Sequence, residues 1–202
     1  MMSWIKHVPY EEARGKLLKL YNRVKGPGNN IDNIMLAHSL RPHSMEGHMT
    51  LYKNVLHHSG NEIPKWFLEA LGVYTSMKNQ CHYCVEHHFA GMVRLVDNLP
   101  RSTAIRSALE TGQLNKVFDE KQCAALIYAD KLTKQTGAMI ESDTQRLRTA
   151  GWNDGEILEI NQVVAYFNYA NRTVLGLGVH AGGDIIGLSP NNSDDPNSWN
   201  HA

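Results

Sequence analysis

Cysteine is scarce in this chain: three residues in 202, at Cys81, Cys84 and Cys123. So small a number excludes the dense disulfide framework of a secreted mini-scaffold. A chain of this length buries about 70% of its unfolded surface, so it needs no covalent or metal staple to fold. Charge of one sign is lacking too. Twenty Lys+Arg offset twenty Asp+Glu, the pI is near 7.2, and neither a basic stripe for nucleic acid nor an acidic tail is present. No apolar run reaches the roughly 18 residues of a membrane-spanning helix. The opening residues, MMSWIKHVPYEEARGKL, lack the apolar stretch of a secretory signal. Together these absences predict a cytoplasmic protein with no membrane and no nucleic-acid partner, in which thiols are kept reduced. A close cysteine pair in that setting is catalytic or metal-binding before it is structural. Strand-length alternation of apolar and polar residues is missing as well, which leaves an all-α chain.

Helical periodicity fills that space. Apolar residues recur at helical spacing over 9–24, in NIMLAHSL, and in PHSMEGHMTLYKNVLHH. IPKWFLEALGVYTSM follows, with Pro64 near its first turn. A cysteine-bearing helix then runs to about Val96, and shorter helices cover 101–110, 120–135 and the segment ending at Gly151. A long helix begins after Asn153, a capping residue with Glu156 three positions on. A single all-helical domain is expected over 1–188, followed by a polar tail at 189–202 that contains Trp199.

The stretch QCHYCVEHH, residues 80–88, concentrates the chemistry. Cys81, Cys84 and His88 are spaced i, i+3, i+7 and share one helix face. Cys81 falls in the first turn, where backbone N–H groups and the helix dipole favour a thiolate. Upstream, Glu69 is the one acid on the apolar face of its helix, and a buried carboxylate needs a partner. If the two helices fold back about Lys78-Asn79, the residue facing Glu69 is His88. A thiol must lose its proton to attack a peroxide or disulfide, and a His–Glu pair beside it can carry that proton. Two cysteines three apart can then close a disulfide. A lone C-x-x-C leaves redox chemistry, zinc binding and simple packing open. For zinc, Cys81, Cys84 and His88 supply three ligands, with His82, His87 or Glu69 as a fourth. His82 and His87 point away from the thiol face and read as solvated. His38, His43, His48, His57 and His58 read as mostly surface or interface groups; a place for one of them on the pocket wall is the minority reading. Cys123, in CAALIYA, reads as a buried small apolar residue.

The pattern E-x11-C-x2-C-x3-H, with its local form CHYCVEHH and the late stretch YFNYANRTVLGLGV at 166–179, resembles the alkylhydroperoxidase-D / carboxymuconolactone-decarboxylase family, in its peroxidase-related branch. The likeness spans most of 9–188, with a core module at about 45–130. It implies an all-α AhpD-like fold that forms a homo-oligomer (dimer, trimer or hexamer) and needs no cofactor and no metal. It also implies a thiol-dependent hydroperoxide reductase, served by a dithiol reductant or partner redox protein. By matching positions, Cys84 would attack the peroxide and Cys81 would be its disulfide partner. Glu69 and His88 would form the proton relay. The sequence departs from the founding hydroperoxidase at Tyr83, where that enzyme has a second histidine; a phenol with a pKa near 10 is a poor proton shuttle at neutral pH. Two other readings stand beside this one: a lactone-handling decarboxylase on the same fold, and a non-enzymatic helical module in which the dithiol binds zinc or senses redox state.

Overall fold

A computed structural model describes residues 2–188; the expected tail with Trp199 lies outside them. The described residues form nine α-helices and no strand. The first three are α1 (Gly15–Val24), the short α2 (Asn33–Ala37) and α3 (Pro42–Tyr52). Next come α4 (Lys65–Lys78), α5 (His82–Val96) and α6 (Leu99–Thr111), then α7 (Glu120–Lys134), α8 (Glu141–Thr149) and α9 (Asp154–Leu177). None of them is long and apolar enough to cross a membrane.

Helix α4 is the axis of the fold. Residues Phe67 through Ser76 are all buried, as expected for a helix that is apolar on every side and surrounded by others. It packs against α5, α7 and α9. The approach of α9 is close enough to require glycine: a Cβ on Gly72 would fall inside the Phe167 ring. The helix limits follow from local chemistry. Asn153 accepts the N–H of Glu156 at 2.9 Å while Glu156 accepts that of Asn153 at 2.8 Å, the reciprocal cap expected for α9. Asp119 and Gln122 make the same box at the start of α7.

Two local departures matter for the site. The helix anticipated through NVLHH does not continue as one piece. After Tyr52 the chain widens into a π-helical turn, Lys53–His57. Such a turn aligns residues five apart, and the His57 Nε2 and Tyr52 hydroxyl meet at 3.0 Å. Between α4 and α5, Gln80 takes the left-handed conformation at φ +57°, reversing the chain in three residues.

One large apolar core joins α1 to α9. A smaller cluster of Met2, Ala37, Cys81, Tyr83, Cys84, Val174 and Val179 sits where the start of α5 meets the end of α9. The N-terminal residues close over it, Trp4 N–H donating to the Leu177 carbonyl at 2.8 Å. The cysteine pair is therefore seated in a minor core of its own.

Candidate active site

Cys81 immediately precedes α5 as its capping residue, and its backbone N–H donates to the Ser76 carbonyl at 2.9 Å. Cys84 lies one turn on. Both thiols are free and buried, 3.4 Å apart. They are not equivalent. The Cys84 thiol donates to Cys81; with the Cys84 backbone N–H and the Asn171 amide, it holds Cys81 below the ordinary thiol value despite burial. The same interaction and the same burial push Cys84 well above it. The helix-start argument for a more acidic Cys81 agrees with this geometry. Access runs the other way: Cys81 is fully enclosed, and Cys84 lines a cavity.

That cavity is about 60 Å³ and is bounded by α2, α3, α5 and α9. A single water needs about 10–15 Å³ on this scale, so the space suits a small molecule. Its wall includes Met35, Met49, Tyr52, Cys84, His88 and Tyr166.

The structure brings Glu69 and His88 together. Imidazole Nδ1 donates to the Glu69 Oε2 at 2.7 Å, which leaves Nε2 as the basic nitrogen. Phe167 sets the ring from one side, edge-on at 4.5 Å between centroids. The second carboxylate oxygen of Glu69 lies 3.2 Å from the His57 Nε2, so one buried carboxylate serves two imidazoles. Burial alone would raise the Glu69 carboxyl; the charge of His88 and the hydrogen bonds from His57 and His88 outweigh it and hold it down to about 2. Burial keeps His57 below the ordinary histidine value, hence neutral.

Several groups are placed otherwise than expected. His82 is exposed, but His87 is not a solvated residue. Its ring lies tilted against Tyr83, 4.4 Å between centroids, and its Nε2 reaches Asp184 at 3.2 Å. The reason is the segment after α9, which folds back and sets Asp184 against this side of α5. Of the histidines between 38 and 58, His43 and His58 are exposed while His38, His48 and His57 are buried. Cys123 is half-buried rather than enclosed, its thiol donating to the Phe118 carbonyl at 3.5 Å. Tyr83 is locked: its hydroxyl donates to Asp184 at 2.8 Å and accepts the Ile34 N–H at 3.2 Å. Burial and the Asp184 charge raise it well above 10.

Asn171, within the YFNYANRTVLGLGV stretch of α9, joins the site as well. Fully buried on α9, it donates to the Ser76 hydroxyl at 3.0 Å and accepts from Asn79 at 2.9 Å, with its amide against both thiols. No local signal in the sequence marks it; only the packing of α9 over the α4–α5 link does. Among the described residues, the His/Cys/Asp/Glu group with all ligand atoms within 4.8 Å of one another is Asp32, His87 and Asp184. The thiols are not part of it, so the zinc set built on Cys81, Cys84 and His88 is not assembled.

No sequence model of a protein family matches the chain, and no curated protein does. Solved structures do match. One is an AhpD-core, uncharacterized peroxidase-related protein from Ralstonia eutropha JMP134, at 21% identity and TM-score 0.75, over 95% of this chain and 99% of that one. Another is an uncharacterized peroxidase-related protein from Silicibacter sp. TM1040, at 21% identity and TM-score 0.74, over 89% and 91%. The debrominase Bmp8 matches at 17% identity and TM-score 0.68, over 89% and 91%, and a cysteine-to-alanine form of it holds 2,3,4-tribromopyrrole. At these identities the likeness is one of fold, and the fold is AhpD-like.

Proposed function

We propose, with the AhpD-like fold as premise, that this chain is a thiol-dependent oxidoreductase that reduces a small hydroperoxide. The observation that carries the reading is the pair of free thiols 3.4 Å apart, with Cys84 on the wall of a cavity shared with His88. His88, oriented by Glu69, takes the Cys84 proton. The thiolate attacks the terminal oxygen of ROOH; an S–O bond forms, the O–O bond breaks, and RO⁻ leaves to be protonated as ROH. Cys81, the more acidic thiol, then attacks the Cys84 sulfenic acid, forming the disulfide and releasing water. A dithiol reductant exchanges with that disulfide and is itself oxidised, restoring both thiols. Burial of both sulfurs supports a two-cysteine cycle, because a sulfenic acid here meets a neighbouring thiol before it meets a second oxidant.

The experiment is intact mass before and after one equivalent of organic hydroperoxide. The expected result is a loss of two hydrogens mapped to Cys81–Cys84. Cys81→Ser and Cys84→Ser each abolish it, and Cys123→Ser retains it. Unchanged peroxide consumption in the Cys81 and Cys84 variants refutes the reading.

The debrominase likeness favours a second reading, reductive removal of halogen from a small aromatic ring. Replacing C–Br by C–H takes two electrons, which a dithiol passing to disulfide supplies. Bromide release from a bromopyrrole, with no hydroperoxide consumption, would select this reading over the first.

A further inference from the structure

Asp32 does not do what its position prescribes. It immediately precedes α2, where an aspartate side chain ordinarily accepts a backbone N–H two or three residues on. It makes no such bond. The N–H two residues on, of Ile34, donates instead to the Tyr83 hydroxyl at 3.2 Å, and the first N–H of α2, on Asn33, donates to Asp184, at 3.1 and 3.2 Å from its two oxygens. Asp184 itself is fixed by the Tyr83 hydroxyl and lies against His87. With its capping role filled from elsewhere, the half-buried Asp32 forms part of the same cavity wall as Cys84, His87 and His88. Holding a carboxyl there costs free energy that no cap bond offsets.

We infer that Asp32 is the general acid of the cleavage step, donating its proton to the oxygen that leaves when Cys84 breaks the O–O bond. This rests on the thiol-peroxidase reading. A thiol proton passed to His88 is on the base side of the reaction, and an alkoxide leaving into a 60 Å³ cavity needs its own donor. Tyr83 cannot be that donor, because its hydrogen is committed to Asp184. In the step, the Cys84 thiolate bonds to the terminal oxygen, the O–O pair departs on RO⁻, and Asp32 protonates it to ROH. The proton left on His88 returns to the Asp32 carboxylate through cavity water, so the site ends one proton short, the thiol's, which leaves in ROH, while the sulfenic acid keeps the hydroperoxide's own O–H hydrogen.

The groups facing Asp32 are His87 and His88 from α5 and Asp184 from the segment after α9; His48 of α3 lines the same cavity. Burial, opposed by His87, reinforced by Asp184 and opposed by His88, raises the Asp32 carboxyl to about 6. Cys84 lies well above the thiol value. Between those two limits the thiolate fraction rises about tenfold per pH unit while the acid fraction falls by the same factor, so their product is level.

The test is the rate of Cys84 oxidation, followed by rapid quench and intact mass from pH 6 to 8, with tert-butyl hydroperoxide and with peracetic acid. The parent should show a level profile. Asp32→Asn removes the falling factor. Its rate with tert-butyl hydroperoxide should drop about 100-fold at pH 6 and recover about tenfold per pH unit to pH 8. Its rate with peracetic acid, whose carboxylate leaves unaided, should change little. Asp32→Glu, which keeps a carboxyl, should restore the level profile, an effect that a purely structural role would not produce. A variant profile that stays level, or equal losses with both oxidants, overturns this inference alone. A parent that neither oxidant converts to disulfide overturns the thiol-peroxidase reading and this inference with it.

Discussion

Replacing Glu69 by glutamine tests the buried carboxylate that joins α4 to α5. The change is nearly isosteric, and the amide oxygen can still accept from the His88 Nδ1, so charge is removed while shape is kept. In the fold the carboxyl titrates near 2 rather than 4.5, because His88 and His57 overcome the burial that would raise it. At about 1.36 kcal/mol per pH unit, that interval corresponds to roughly 3 kcal/mol. The folded value is the lower one, so the stabilisation is complete above pH 4.5 and is lost as pH falls toward 2. Glu69→Gln should therefore be about 3 kcal/mol less stable than the parent at pH 7 and only about 1.4 kcal/mol less stable at pH 3. For a chain of this size the neutral-pH difference is a melting temperature lower by about 6–12 °C. Denaturant unfolding of both proteins at pH 7, 5 and 3 measures it. A difference under about 1 kcal/mol at pH 7, or one that does not shrink on acidification, would refute the ion-pair account.

Three further outcomes are expected. Gly72→Ala drives a methyl into the Phe167 ring and should cost about 1–3 kcal/mol by overpacking the α4–α9 contact; an unchanged melting temperature would contradict that packing. His48 is held down to about 3 by burial and by the neighbouring His38 and His88. The unfolded chain takes up that proton near pH 6.5 and the folded chain resists it, so stability is lost as pH falls from 6.5 toward 3. His48→Gln should then gain on the parent across that range, by up to about 5 kcal/mol, in parallel unfolding titrations. Asn171→Ala removes a donor from both thiols and from the Ser76 hydroxyl, and leaves Asn79 with Asn168 as its remaining acceptor. The thiolate absorbance titration should move to higher pH, with about 1–3 kcal/mol lost in stability.

The fold class and much of the site are set by rules that act over a few residues. Helical spacing assigns the segments, and Asn153 with Glu156 marks the start of α9 because a reciprocal cap is a local geometry. The meeting of Glu69 with His88 is also local: a chain that reverses at Lys78–Gln80 brings residues equidistant from the turn side by side. Cys81 and Cys84 share a face by the 3.6-residue period alone. What lies outside those rules is decided by contacts between distant parts of the chain. His57 reads as a surface histidine until a π-helical turn swings it onto Glu69. His87 points away from the thiols by helix geometry, yet Asp184, nearly a hundred residues on, encloses it. Asn171 gains its place against the sulfurs only because Gly72 lets α9 settle onto α4. Asp32 loses its cap to Tyr83 and to that same distant aspartate, and forms part of the cavity wall instead. Sequence by itself determined which residue types share a helix face, since backbone geometry imposes that within one turn. Only the tertiary structure decided which faces enclose one another, because burial and electrostatic pairing depend on the packing of the whole chain.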